Sequence, residues 1–138
     1  MAVVPNPSSC PCGRADLRAR PLPYSQCCGR YLDNIEGAAA PDPESLMRSR
    51  YTAFAKERAD YLLATWHAST RPVEVTFEPG MRWLGLEVRS RSMSDGEHAE
   101  VEFVARQRNA AGKAGRLQER SRFVRENERW YYLDGEAR

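Results

Sequence analysis

The spacing of apolar residues changes twice along the chain, and the two changes divide it into three stretches. Up to about residue 40, Pro, Gly, Ala and Arg dominate and no helical or strand period is sustained. From Met47 the period is helical, with Met47, Tyr51, Phe54 and Ala55 at i, i+4, i+7 and i+8 forming one apolar stripe. Asp42-Pro43-Glu44 supplies the start of that helix. Asp42 caps free backbone N–H groups, Pro43 suits the first helical position, and Glu44 lies at the positive end of the dipole. A second, shorter helix is predicted with Asp60 as cap and Leu62, Leu63 and Trp66 on its buried side, ending between His67 and Pro72.

From about Met81 the period is two. Leu84, Leu86 and Val88 are predicted to share one face of a strand, and Ala99, Val101, Phe103 and Ala105 one face of the next. Further strands are expected over 116–125 and 129–133. Ser94-Asp95-Gly96, the stretch 109–115 and Glu126-Asn127-Glu128 supply the turns. Val73, Val75 and Phe77 also alternate, but Pro72 and Pro79-Gly80 confine them, so this piece is read as extended or irregular. Short connections make neighbouring strands antiparallel. Helices followed by a four-stranded meander define an α+β fold.

Composition supports one main core and excludes two classes. Of 138 residues, 41% are hydrophobic and 29% charged, which argues against both a disordered chain and a membrane protein. No apolar run approaches the ~20 residues needed to span a bilayer, and the first residues lack the basic and apolar regions of a secretory signal. The expected location is cytoplasmic, where thiols stay reduced. The net charge of +2 does not by itself indicate nucleic-acid binding. The cations are nearly all arginine, with lysine only at Lys56 and Lys113. Arginine suits carboxylate and phosphate recognition, although a compositional bias explains the same count.

All four cysteines fall in the aperiodic stretch, as Cys10-Pro11-Cys12 and Cys27-Cys28. A segment of about 40 residues cannot bury enough apolar surface to order itself, and such pieces usually rely on a metal, disulfides or a partner. Disulfides are disfavoured in a reducing compartment, and the Cys-x-x-Cys spacing of redox pairs is absent. Two close cysteine pairs separated by a loop suit one tetrahedral zinc ion; iron is the alternative. Gly13 and Gly29 come directly after the two pairs and permit sharp turns, while Arg14, Arg18, Arg20 and Arg30 offset thiolate charge. Four thiolates leave no open coordination position, so the site is expected to be structural. The expected organisation is a zinc knuckle and linker over 1–40 and an α+β domain over 41–138.

Cys10-Pro11-Cys12-Gly13 with Tyr24-Ser25-Gln26-Cys27-Cys28-Gly29 resembles the SEC-C metal-binding motif. Leu46 to Phe54, Thr65-Trp66-His67, Trp83 to Leu86, Phe103 to Arg106, Glu119 to Phe123 and Trp130 to Gly135 look like the bacterial YchJ family, in the same order. The resemblance implies a nuclear-transport-factor-2-like cone behind the knuckle and no established reaction. By analogy with other SEC-C modules it implies a partner in protein export or the ribosome. Two departures are visible: Arg14 to Pro23 form a longer loop than usual between the cysteine pairs, and no second SEC-C motif comes after the sheet, so one metal ion is expected.

The expected function is that of a cytoplasmic zinc-binding accessory protein that presents arginines to a protein or ribonucleoprotein partner. The alternative is a small-molecule-binding protein or enzyme using a pocket in the cone, with His67, Glu119 and Arg122 as candidates. His67 at a helix end suits a general base, but more often such a residue is a hydrogen-bonded structural one. Glu119 shares a strand face with Leu117, Ser121 and Phe123, and an acid there needs a partner. The simplest expectation is an ion pair with Arg48 or Arg50 of the first helix.

Overall fold

The structure, a computed structural model, describes residues 9–138. The reading of the first residues as lacking a signal lies outside them. A hairpin-like loop comes first, with isolated bridges Ser9–Pro23 and Ala15–Pro21. Next come a 3-10 turn (Tyr24–Gln26), a single-turn helix α1 (Gly29–Leu32), helix α2 (Pro43–Ala55) and helix α3 (Ala59–Ala64). Strands β1 (Arg82–Asp95), β2 (His98–Arg108), β3 (Ala114–Glu126) and β4 (Arg129–Ala137) complete the chain. The strands form one antiparallel meander in the order β1-β2-β3-β4. Among the described residues, no helix is long and apolar enough to cross a membrane.

Helix α2 starts where its sequence dictates. The Asp42 carboxylate accepts from the Ser45 N–H at 2.7 Å, with Pro43 at the first helical position. The second helix departs from expectation at both ends. Its N-cap is Arg58, and it closes at Thr65, short of His67. Asp60 lies inside the first turn, paired with Arg58 at 2.9 Å. The Glu126–Arg129 turn places both Asn127 and Glu128 at positive φ, the geometry of a tight hairpin whose twist matches its strands. Residues 72–78 form no strand, although Val75 and Phe77 pack against the core.

The inner sheet face is built by Ala99, Val101, Phe103 and Ala105 of β2, Ser121 and Phe123 of β3, and Trp130 of β4, all buried. On β1 strict alternation fails. The pairing passes from Trp83–Gln107 to Gly85–Arg106, leaving Leu84 as an extra residue that is 53% exposed. Trp83, Leu86 and Val88, not Leu84, therefore face the core. A second irregularity between Val88 and Ser90 puts Arg91 opposite Val101, on the inner face. Each inserted residue reverses the facing of the remainder of the strand.

Candidate metal centre

The loop between the cysteine pairs folds on itself. Leu22 N–H donates to Arg14 O, Asp16 N–H to Arg20 O, and the Asp16 carboxylate accepts from the N–H groups of Arg18 and Arg20. The long insert is thus a self-paired hairpin, and it brings Cys10 back beside Leu22 through a 2.9 Å hydrogen bond. Gly13 turns the chain after Cys12 at φ +75. Gly29 has a different role: a side chain there would collide with the backbone and ring of Tyr24.

These turns gather the four sulfurs. All four ligand atoms lie within 4.8 Å of one another, with Cys12 Sγ and Cys27 Sγ 3.6 Å apart. A tetrahedron with Zn–S near 2.3 Å requires S···S separations of about 3.8 Å, so the spacing fits. The cysteines are free thiols and each is at most 5% exposed. Hydrogen bonding within the set drives the Cys10 thiol far below its ordinary range and Cys12 to about 7, while the same neighbours push Cys27 and Cys28 up. Four thiolates at this spacing repel one another. A divalent cation among them removes that conflict, and the donor set is the one zinc and iron prefer.

Helix α2 lies beneath the sulfurs. Thr52 Oγ1 is 3.6 Å from Cys10 Sγ, and Arg48 donates to Cys12 O at 3.0 Å. Arg14 reaches Ser45 Oγ at 2.9 Å. Glu44, 8% exposed, binds Arg48 at 2.8 Å, Arg14 at 3.7 Å and, in close contact, Arg91 of β1. One carboxylate therefore links knuckle, helix and sheet. Of the four arginines expected to offset thiolate charge, Arg14 is half-buried and the exposed Arg30 donates to Cys27 O at 3.0 Å. Arg18 and Arg20 are exposed as well and make no hydrogen bond to a cysteine among the described residues; Arg20 is paired with Asp16.

The pocket candidates separate. A cavity of about 130 Å³ lies between α2 and the sheet, and Glu119 lines it together with Leu117, Ser121 and Phe123. His67 does not. Its Nε2 is 2.8 Å from Glu126, its Nδ1 2.7 Å from Ser69 Oγ, and its backbone N–H donates to Tyr132 O, so it ties the segment after α3 to β4. Arg122 faces the other side of the sheet, bound to Asp134 at 2.5 Å and Glu136 at 3.1 Å. A period of two separates it from Glu119, three residues away. The expected ion pair is also missing: among the described residues Glu119 pairs with no arginine and accepts from Ser121 Oγ at 2.6 Å. Arg48 is taken by Glu44, and Arg50 stacks on Trp66 and Tyr132. Sequence reasoning missed Arg48, Thr52 and Glu44 beside the sulfurs. For Arg48 and Thr52 the signal is a polar stripe at 45, 48 and 52 on α2, about a third of a turn from the apolar one.

A family model described as "YchJ, middle NTF2-like domain" matches residues 42–135. The chain belongs to the YchJ-like UPF0225 family. A UPF0225 protein of a Polaromonas species is 63% identical over 131 residues, covering 95% of this chain and 94% of that protein. One of Bordetella pertussis is 51% identical, covering 96% of each. The solution structure of a SEC-C motif containing protein from Rhodopseudomonas palustris superposes with a TM-score of 0.77 at 33% identity, covering 94% of this chain and 98% of that one. The crystal structure of a second SEC-C protein, from Psychrobacter arcticus, gives 0.75 at 28% identity, covering 93% and 81%. The α+β, nuclear-transport-factor-2-like fold expected from the resemblance is therefore the fold of this UPF0225 chain.

Proposed function

We propose that Cys10, Cys12, Cys27 and Cys28 hold one structural zinc ion. The zinc fastens the knuckle to α2, in a cytoplasmic accessory protein that acts through contact with an acidic protein or a ribonucleoprotein. The observation that supports the zinc is the gathering of four buried, reduced sulfurs at tetrahedral spacing. With every sulfur used, the metal has no site for substrate, so its role is to hold structure. The contact surface is then the exposed arginine tip of the hairpin at Arg18 and Arg20. Much of the remaining arginine content is tied to internal carboxylates and carbonyls.

Two measurements test this reading on the full chain. Protein purified without chelator is expected to carry one zinc per chain, and Cys12→Ser with Cys28→Ser to carry none. Metal retained by that double variant contradicts the site. An immobilised metal-loaded chain is expected to retain a protein or ribonucleoprotein that is released by chelator and lost in the Arg18→Glu, Arg20→Glu variant. Retention unchanged by both treatments contradicts the role of the knuckle.

A further inference from the structure

Arg50 is 6% exposed, yet among the described residues no carboxylate lies within ion-pair distance of it. Its Nη1 donates to Leu62 O at 2.9 Å and Thr65 Oγ1 at 2.7 Å. The guanidinium carbon lies 4.4 Å from the Tyr132 ring centre and 5.0 Å from that of Trp66. Nε and Nη2 make no hydrogen bond among the described residues, and Arg50 borders the cavity. Burial lowers its pKa only to about 10, so it is a cation at neutral pH. A buried charge without an ion pair is costly, and stacking, two neutral acceptors and the more distant attraction of Glu119 compensate only part of that cost. The same wall carries a second unsatisfied group, the buried indole N–H of Trp66, which has no acceptor among the described residues.

The rest of the cavity is an apolar vessel. Phe54, Trp83, Phe103 and Phe123 line it, and Glu119 stands on β3 as its acid. Glu119 accepts from Ser121 at one oxygen and lies beside the Tyr132 hydroxyl, whose pKa is pushed up by burial and then by the Glu119 charge. Gly135 on β4 makes room for that carboxylate, since a side chain there would collide with it. At about 130 Å³ the space is close to that of a cavity known to admit benzene, enough for about six to eight non-hydrogen atoms.

We propose that the cavity binds a small organic carboxylate with a compact apolar body, seated on the free Nε and Nη2 edge of Arg50. Arg50 presents the planar fork that matches a carboxylate bidentately. The body replaces water against the aromatic walls. Glu119 favours ligands that carry a hydroxyl or ammonium donor near the carboxylate, because its own carboxylate accepts from that donor and would otherwise repel the anion. Binding is the activity assigned; no bond is made or broken.

The test is titration of the metal-loaded full chain, monitored by the Arg50 Nε–H and Trp66 Nε1–H proton resonances and by thermal shift. The probes are isovalerate, 2-hydroxyisovalerate and valine, with isovaleramide as the uncharged control. Saturable shifts of both resonances are expected with the carboxylates, largest for the two that bear a donor, and none with the amide. Arg50→Met is expected to weaken binding by about 10- to 100-fold, the loss of a charge-assisted pair. Should that variant fail to fold, Ala105→Leu fills the cavity without touching the arginine and must abolish the shifts. Glu119→Gln is expected to narrow the preference for donor-bearing ligands. Equal binding of amide and carboxylate, absence of saturable shifts with every probe, or unchanged binding in Ala105→Leu overturns the proposal.

Discussion

On one face of α2, Ser45, Arg48 and Thr52 each commit a hydrogen bond to the cysteine knuckle. On the opposite face, Met47, Arg50, Tyr51 and Phe54 line a cavity in which a guanidinium keeps two nitrogens unpartnered among the described residues. The spacing of 3.6 residues per turn puts the two sets about half a turn apart. Both faces are buried, but one is satisfied by the chain itself and the other is not. A region whose donors and acceptors are matched internally holds the fold together. One that buries a guanidinium without a paired carboxylate, beside a cavity, is shaped to receive something.

Breaking the knuckle should have the largest effect. Removal of metal, by chelator or by Cys12→Ser with Cys28→Ser, takes away ligation worth on the order of 10 kcal/mol in small zinc modules. Loss of the cooperative thermal transition is expected, read by circular dichroism. Acidification from about pH 7.5 to about pH 5 should release the metal, because thiolates must be deprotonated to bind and protons compete as pH falls. A chromophoric zinc chelator reports this directly.

Arg48 and Arg50 make the sharpest test of the contrast, being two residues apart on the same helix. Arg48→Met strips Glu44 and Cys12 O of a charged donor and is expected to cost about 1–3 kcal/mol in urea denaturation. Arg50→Met removes a buried cation that has no ion pair, so the relief of its desolvation offsets part of the lost hydrogen bonds to Leu62 O and Thr65 Oγ1, and the cost should be smaller than that of Arg48→Met. Equal costs would mean the two faces are not different in kind. Asp42→Ala, which removes the α2 cap and the acceptor of the Ser45 hydroxyl, is expected to cost about 1 kcal/mol in the same assay. Smallest of all, Arg122→Gln on the outer sheet face should leave the thermal midpoint and any cavity ligand unaffected.

Much of this arrangement is legible in the chain. Asp42-Pro43-Glu44 marks the start of α2, alternation in β2 names its buried residues, and the paired cysteines point to sulfur ligation. The features that escape have specific causes. The extra residue at Leu84 leaves no trace in a hydrophobic pattern, because bulges are set by strand pairing. Arg48 and Thr52 read as a solvated helix face, since nothing local reveals that the face opposes a carbonyl and a sulfur. His67, Glu119 and Arg122 group together in the sequence only as polar residues beside an expected pocket. The strand period already divides Glu119 from Arg122, and His67 lies beyond the end of α3. Gly135 is the overlooked signal for the cavity: a glycine inside a strand marks close approach, here of the Glu119 carboxylate.

The closed sulfur site is the claim on which the contrast between the two faces of α2 depends. X-ray absorption at the zinc edge of the metal-loaded chain tests it most directly. Four sulfur scatterers at about 2.3 Å, with no lighter neighbour, are predicted. A shell containing oxygen or nitrogen at about 2.0 Å would mean an open position and would contradict the account.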